Sequence, residues 1–391
     1  MQFPILQLLA KRDKAVINRH PWIFSGALKS KVNAREGAIV EVQNNEGNTL
    51  GFGFYSAESQ ISCRMFDWDQ NPGAFHTVEY WKIKIEKSLK LRQEITINSS
   101  TNAYRLLHAE GDFLPGIIVD VYNNTLVIQI NIVGVEIIKD LLFEAFKQLG
   151  FSEIYIKAKL NYKNEEEISK VQDESKSILP IEIIENGLKF SVDIFGGQKT
   201  GFFIDQRDNR QLLREISKDK IVLNAFSYTG GFSIYSLSGG AAEVHSLDIS
   251  KDAIEGADQN ARLNNLQKNH HLICQDCFEY LKLMPSNKFD IIVLDPPAFA
   301  KHSRAVDNAA KGYKQINMKA IQKIRTGGLI LTFSCSQHIS KELFQKIIFG
   351  AAADVKRNVR ILRQLHQPAD HPISIFHPEG EYLKGLLLWV E

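Results

Sequence analysis

The stretch Ile221-Val-Leu-Asn-Ala-Phe-Ser-Tyr-Thr-Gly-Gly-Phe-Ser233 limits this chain more than any other. An apolar lead-in from Ile221 to Ala225 predicts a strand. The polar turn that follows carries Gly230 and Gly231, and Ile234 and Leu237 then read as the start of a helix. A strand, a tight turn and a helix N-terminus place backbone N–H groups at the mouth of a parallel sheet, where a ligand can be held. The next predicted strand, Ala242 to Asp248, ends in a carboxylate 18 residues after Gly230. An acid about 20 residues past such a turn suits a nucleoside ribose, because a carboxylate can accept from both hydroxyls.

At 391 residues the chain exceeds one average domain; about 150 residues per domain implies two or three. The formal net charge of +2 announces no polyanionic partner. The charge is nevertheless uneven: residues 1–35 hold seven lysines and arginines against Asp13 alone, which suits phosphate contact as well as a solvated surface. No apolar run approaches the ~20 residues of a membrane span. The N-terminus shows no signal-peptide pattern, since charges follow Phe3–Ala10 rather than precede it. The chain therefore reads as cytoplasmic, with its four cysteines (Cys63, Cys274, Cys277 and Cys335) reduced. Cys274 and Cys277 form a lone C-x-x-C, a poor zinc site without a second pair. No metal is expected, and both are read as small residues in or near a buried strand that begins at His270.

Taken in order, residues 1–73 read as a small β-rich module, with strands at 37–43, 50–55 and 61–66. Gly51 and Gly53 alternate with Phe52 and Phe54, which predicts a bare strand face and close backbone approach. Trp22 and Phe24 are read as core. Residues 74–185 read as a central α+β module: a helix over 74–95, strands and turns through Tyr104–Asp120, a strand over 126–132, a helix over 135–149 capped by Gly150, and a polar hairpin tip or mobile loop over 161–178. Residues 186–391 alternate strand and helix, which predicts an α/β, doubly wound, Rossmann-like sheet with helices on both faces. The last two strands, at about 358–365 and 384–390, lack a long helix between them, so an antiparallel element closes that edge.

In an open α/β sheet the ligand sits beyond the carboxyl ends of the strands. There the sequence puts Asn224–Gly231, Asp248, Asp276 and Asp295-Pro-Pro297. Acids after three strands beside a Gly turn form a nucleoside-site pattern, with helix capping as the bland alternative. The turn is not Gly-x-Gly-x-x-Gly, so a ligand without phosphates, such as S-adenosylmethionine, fits better than NAD. The two prolines end a strand and wall the cleft. Phe299 is placed to stack on a flat substrate, and residues 301–314 carry four cations against Asp307. The strand Gly328–Ser334 runs into Cys335-Ser336, where a thiol flanked by hydroxyls can act as a nucleophile or simply be buried.

Several motifs together resemble one family. They are Gly197-Gln-Lys-Thr-Gly-Phe-Phe-Ile-Asp-Gln-Arg-Asp-Asn-Arg210, Asn224–Ser233, Asp295-Pro-Pro, Gly312-Tyr-Lys-Gln-Ile-Asn317, Phe333-Ser-Cys-Ser336 and Ala369-Asp-His-Pro372. The family is the class I S-adenosylmethionine-dependent RNA methyltransferases, specifically the bacterial enzymes that methylate cytosine C5 in large-subunit (23S) ribosomal RNA. The N-terminal module is similar to an RNA-binding PUA domain. The resemblance implies S-adenosylmethionine as cofactor and ribosomal RNA as partner, requires no membrane, and admits a homodimer. It implies that Gln206, Arg207, Asn224, Phe226, Tyr228, Thr229 and Gly230 shape the cofactor pocket. Asp248 would hold the ribose and Asp276 the adenine side. Asp295 would touch cofactor and base, and Cys335 would attack the base. Asp295-Pro-Pro-Ala-Phe299 also resembles the amine-methylating pattern, so a guanine or adenine target is the alternative. RNA binding without catalysis is a third reading.

Overall fold

The computed structural model describes residues 3–69, 72–158, 167–170, 180–195, 200–300 and 302–391. The chain divides into two units. Residues 1–183, 192–204 and 369–380 form the first; residues 184–191, 205–368 and 381–391 form the second.

The first unit opens with β1 (Ile5–Gln7), α1 (Lys14–Ile17), β2 (Trp22–Phe24), β3 (Ile39–Gln43), β4 (Thr49–Tyr55) and β5 (Ile61–Asp67). Its sheet runs β1-β3-β4-β5-β2. The glycine alternation acts as expected: a Cβ on Gly51 would lie 2.2 Å from the Asp67 carbonyl oxygen, and one on Gly53 2.4 Å from Cys63 Sγ. Phe52 and Phe54 fill a core with Phe66, Phe75 and Trp81. Phe24 corrects the reading. It is 50% exposed, because β2 is an edge strand and only Ile23 of its three residues is buried.

Next come α2 (Val78–Ile95), β6 (Ala103–His108), β7 (Ile117–Tyr122), β8 (Thr125–Ile130), α3 (Val133–Ile137), α4 (Lys139–Gln148), β9 (Glu153–Ala158) and β10 (Glu167–Lys170), with sheet order β10-β9-β8-β7-β6. Thr77 caps α2 by accepting from Tyr80 N. The helix expected over 135–149 breaks at Ile138, and Gly150 follows it at φ +94. The tip expected over 161–178 lies mostly outside the described residues, as do Gly196–Lys199 and Lys301.

The ribbon β11 (Ile181–Glu185) and β12 (Leu188–Val192) lies where the chain passes between units. The second unit then alternates: α5 (Arg207–Ile216), β13 (Ile221–Ala225), α6 (Gly231–Ser238), β14 (Glu243–Asp248), α7 (Lys251–Leu263), β15 (His270–Cys274), α8 (Cys277–Leu283), β16 (Ile291–Leu294), α9 (Val306–Lys323), β17 (Gly328–Ser334), α10 (Lys341–Val355), β18 (Val359–Leu365) and β19 (Lys384–Val390). The sheet order is β15-β14-β13-β16-β17-β19-β18. The first five strands are parallel, and β19 runs antiparallel to both its neighbours. The order reverses at β13, which opens a crevice beyond its carboxyl end.

Two cores flank the sheet. One packs α8, α9 and α10 around Phe289, Tyr313 and Phe344; the other packs α5 and α6 around Phe232 and Phe333. β15 is a second correction. It forms an edge of the sheet and is largely exposed, so Cys274 faces solvent while Cys277, on α8, is buried.

Candidate active site

The register of the parallel strands gathers the polar loops at one edge. Ala225 pairs with Leu247 of β14 and with Leu294 of β16, Leu294 pairs with Thr332 of β17, and Asp248 pairs with Cys274. The loops carrying Phe226–Gly230, Asp248, Asp276, Asp295 and Cys335 therefore all leave the sheet on its carboxyl side.

The β13–α6 turn is strained. Phe226 (φ +61) and Tyr228 (φ +46) hold left-handed backbone that side-chain-bearing residues rarely adopt. Such geometry clusters at ligand sites, where the surroundings over-determine it. Gly230 (φ +79) begins α6, and a Cβ there would meet the Ala257 Cβ at 2.9 Å. The Thr229 carbonyl accepts from Asn260 Nδ2 at 2.8 Å. Asn224 is buried and donates to Ser233 Oγ at 2.9 Å, while its Oδ1 has no partner among the described residues.

Asp248 ties the crevice together: its Oδ2 accepts from Tyr228 N at 2.9 Å and its Oδ1 from Ser250 N at 3.0 Å. Asp276 caps α8 by accepting from Glu279 N at 3.0 Å, so the capping role weighed for it is real. Burial pushes the neighbouring Cys277 thiol up to about 12, which makes it an inert core residue. Gln206 and Arg207 open α5 and are buried. Gln206 Oε1 accepts from Asn209 at 2.7 Å, and Arg207 lies 3.5 Å from Glu185. Glu185 also binds Arg210 through contacts of 2.6–2.9 Å and accepts from Tyr235 Oη at 2.9 Å. Nothing in the sequence pattern marks this buried anchor of α5.

Asp295 and Cys335 are both half-buried, on adjacent strand ends. The segments that carry them are joined: Ser336 Oγ accepts from Ala300 N at 3.2 Å and lies 3.0 Å from Tyr313 Oη. Burial raises the Tyr313 phenol, keeping it neutral. The Phe299 ring is half-buried and packs against the core, 4.7 Å from Tyr313 and 6.0 Å from Phe278. Lys384, buried at the start of β19, donates to the Ser336 carbonyl at 2.7 Å. Its one sequence signal is a cation opening an otherwise apolar strand. At the other, amino-terminal edge of the sheet, Glu243 lies 3.2 Å from His245 and 3.7 Å from His271. These ion-pair contacts account for the grouping, and we assign no metal to it.

The strand order and the crevice beyond β13 are those of a nucleoside-binding α/β fold. A family profile for S-adenosylmethionine-dependent methyltransferases matches residues 159–375, and one for PUA-like domains matches residues 6–68. The ribosomal RNA large subunit methyltransferase I of Aeromonas salmonicida (strain A449) is 40% identical over 98% of each chain. That of Tolumonas auensis is 41% identical over 96% of this chain and 97% of its own. The crystal structure of SMU.776 complexed with SAH matches the fold over the full length of both chains at a TM-score of 0.86 and 24% identity. The chain belongs to the S-adenosylmethionine-dependent methyltransferase family, within the group formed by these large subunit methyltransferase I proteins.

It is an enzyme that uses S-adenosylmethionine. The residues present fit that cofactor. The turn lacks the glycines of a pyrophosphate cradle, and the cofactor has no phosphate to cradle. The strained Phe226–Gly230 backbone and the unmatched Asn224 Oδ1 face the demands of a polar ligand. Among the described residues no helix is long and apolar enough to cross a membrane.

Proposed function

We propose that the protein methylates C5 of a cytosine in large-subunit ribosomal RNA through a covalent adduct on Cys335. The RNA class follows the relatives' names; the target atom follows from the chemistry of Cys335. One observation carries the reading: the Ser336–Ala300 hydrogen bond ties the segment after Asp295 to the segment bearing Cys335, at the carboxyl edge of the sheet. In this reading residues 1–73 engage RNA, 74–185 form a central module and 186–391 carry the chemistry.

Bound in the crevice, the cofactor supplies an electrophilic methyl group on a sulfonium. The chain's own residues would do the rest. Asp248 has two further lone-pair positions beyond its two backbone contacts and offers them to the ribose hydroxyls. Asp276 borders the adenine. Gln206, Arg207, Asn224, Phe226, Tyr228, Thr229 and Gly230 line the pocket. The first turn of α6 holds no acid, so its N-terminal N–H groups suit the cofactor's carboxylate.

C5 of cytosine is a poor nucleophile. Addition of the Cys335 thiolate to C6 breaks the C5=C6 double bond and makes C5 an enamine carbon, which takes the methyl. Loss of the C5 proton to a base then expels the thiolate and restores the ring. Asp295 would hold the base during these steps. The target must leave its stack to reach the crevice, at a cost of a few kcal/mol.

Amine methylation is the second reading. It would use the Asp295-Pro-Pro-Ala-Phe299 segment to hold the base, with Phe299 half-buried against Tyr313 and Phe278. Mass spectrometry of nucleosides from ribosomal RNA, with and without the gene, separates the two. We expect 5-methylcytidine to disappear with the gene and not to return with Cys335→Ala. A methylated guanine or adenine in its place would overturn the reading.

A further inference from the structure

β17 ends one residue before Cys335, and the antiparallel register sets Lys384 opposite Ser334 at that end. Lys384 is buried, only 5% exposed. Its Nζ donates to the Ser336 carbonyl at 2.7 Å and to the Tyr382 carbonyl at 2.7 Å. Neither acceptor carries a charge. Among the described residues Lys384 has no carboxylate ion-pair partner; Glu381 is exposed and lies 4.0 Å from Lys341. A buried ammonium without a counter-ion is expensive to keep. The ionisable group carried by the turn that Lys384 holds is the thiol of Cys335, one residue before the Ser336 carbonyl. Burial lowers the Lys384 ammonium to about 8, against the upward pull of Cys335 and then Glu381. Among the described residues, other charged or titratable groups near the turn are Tyr313 from α9, whose phenol burial raises, Tyr382, whose hydroxyl donates to Asp205 at 2.7 Å, Lys341 from α10 through Glu381, and Asp295 just beyond the Leu294–Thr332 rung.

We propose that Lys384 is a positioning residue for Cys335: it fixes the turn through the Ser336 carbonyl and supplies the positive charge against which the thiolate is held. The inference rests on the reading of Cys335 as the nucleophile. It explains why a lysine opens a strand that is otherwise apolar from Gly385 to Val390. A cation beside a thiol favours the thiolate, the form that attacks.

The test needs no RNA. The full-length protein is alkylated with iodoacetamide between about pH 6 and pH 10, and each cysteine-bearing peptide is followed by mass spectrometry. Cys274, exposed on β15, is the internal reference. Cys335 should reach half-maximal alkylation at a lower pH than Cys274. Lys384→Met should raise the Cys335 midpoint by about one pH unit, roughly a tenfold loss of thiolate near neutrality, with Cys274 unmoved. Lys384→Arg should restore most of the difference. A wild-type Cys335 midpoint equal to that of Cys274, or one unmoved in Lys384→Met, overturns the proposal. The wild-type comparison decides even if Lys384→Met does not fold. The outcome is separable from the reading it rests on. Full methylation by Cys335→Ala would remove the covalent mechanism whatever the alkylation profiles show.

Discussion

The backbone N–H of Ala300 donates to the hydroxyl of Ser336 at 3.2 Å, tying together the segments that follow β16 and β17. Tyr313 Oη completes the junction at 3.0 Å from the same oxygen. Ser336→Ala removes both contacts and leaves a buried N–H without its acceptor, a loss of about 1–3 kcal/mol. We expect a lower melting temperature, a turnover number reduced at least about tenfold because near-attack geometry is sensitive to small displacements, and an unchanged affinity for S-adenosylmethionine. Unaltered turnover at a reduced melting temperature would make the junction structural only.

Asp248 serves two masters in the proposed site, the backbone and the ribose. Asp248→Asn keeps the shape and turns one acceptor into a donor facing either Tyr228 N or Ser250 N. Hydrogen bonds to a charged group contribute about 1.5–3 kcal/mol, so affinity for S-adenosylmethionine should fall roughly ten- to a hundredfold. Calorimetric titration reads this directly. Affinity within about twofold of wild type would remove Asp248 from the cofactor site.

Periodic features of the chain were legible before its structure. The expected strand at 221–225 and helix at 231–238 coincide with β13 and α6, and the missing helix before residue 384 signalled the antiparallel closure by β19. Local apolar spacing encodes these elements. What depends on strand order was not legible: His270–Cys274 reads as buried by composition, but it sits at the sheet edge. Contacts made across long separations were also hidden. Residues 369–380 follow β18 in sequence yet pack in the first unit, where Asp370 Oδ2 accepts from Arg105 N at 3.0 Å. The candidate site divides the same way. Its acids and its cysteine stand at strand ends that periodicity locates, whereas Ser336, Tyr313 and Lys384 matter through partners that no spacing rule connects.

His270 gives a pH dependence with a definite sign. Its Nε2 lies 2.7 Å from Ser246 Oγ, and burial lowers its folded-state pKa to about 4 from the ordinary 6.5. Between those values the unfolded chain binds a proton that the folded chain does not. Stability is therefore full above the unfolded value and is lost as the pH falls toward the folded one. The loss from about pH 7 to pH 5 is on the order of 2 kcal/mol. Thermal melts across this range should fall more steeply for wild type than for His270→Gln. Parallel slopes would show that the imidazole titrates normally in the fold.

A buried arginine helps to hold residues 369–380 in the first unit. Arg92 on α2 is fully buried. It forms a paired contact with Asp112 and donates to the Arg105 carbonyl at 2.8 Å and to the Asp370 carbonyl at 2.9 Å. Asp112 in turn accepts from His108 N at 2.6 Å. Gly111 lies so close to this segment that a Cβ there would stand 2.0 Å from the Pro372 carbonyl oxygen. Arg92→Met would strand the Asp112 carboxylate in the interior and free the Asp370 carbonyl. Breaking a buried pair from one side costs about 3–5 kcal/mol, whereas replacing both partners with apolar groups can be nearly neutral. Arg92→Met should therefore be strongly destabilised and should expose 369–380 to limited proteolysis. Arg92→Met combined with Asp112→Leu should recover part of the stability without restoring protection of that segment, because the hydrogen bond to Asp370 stays lost. Cleavage within 369–380 no faster in Arg92→Met than in wild type would show that other contacts hold the segment.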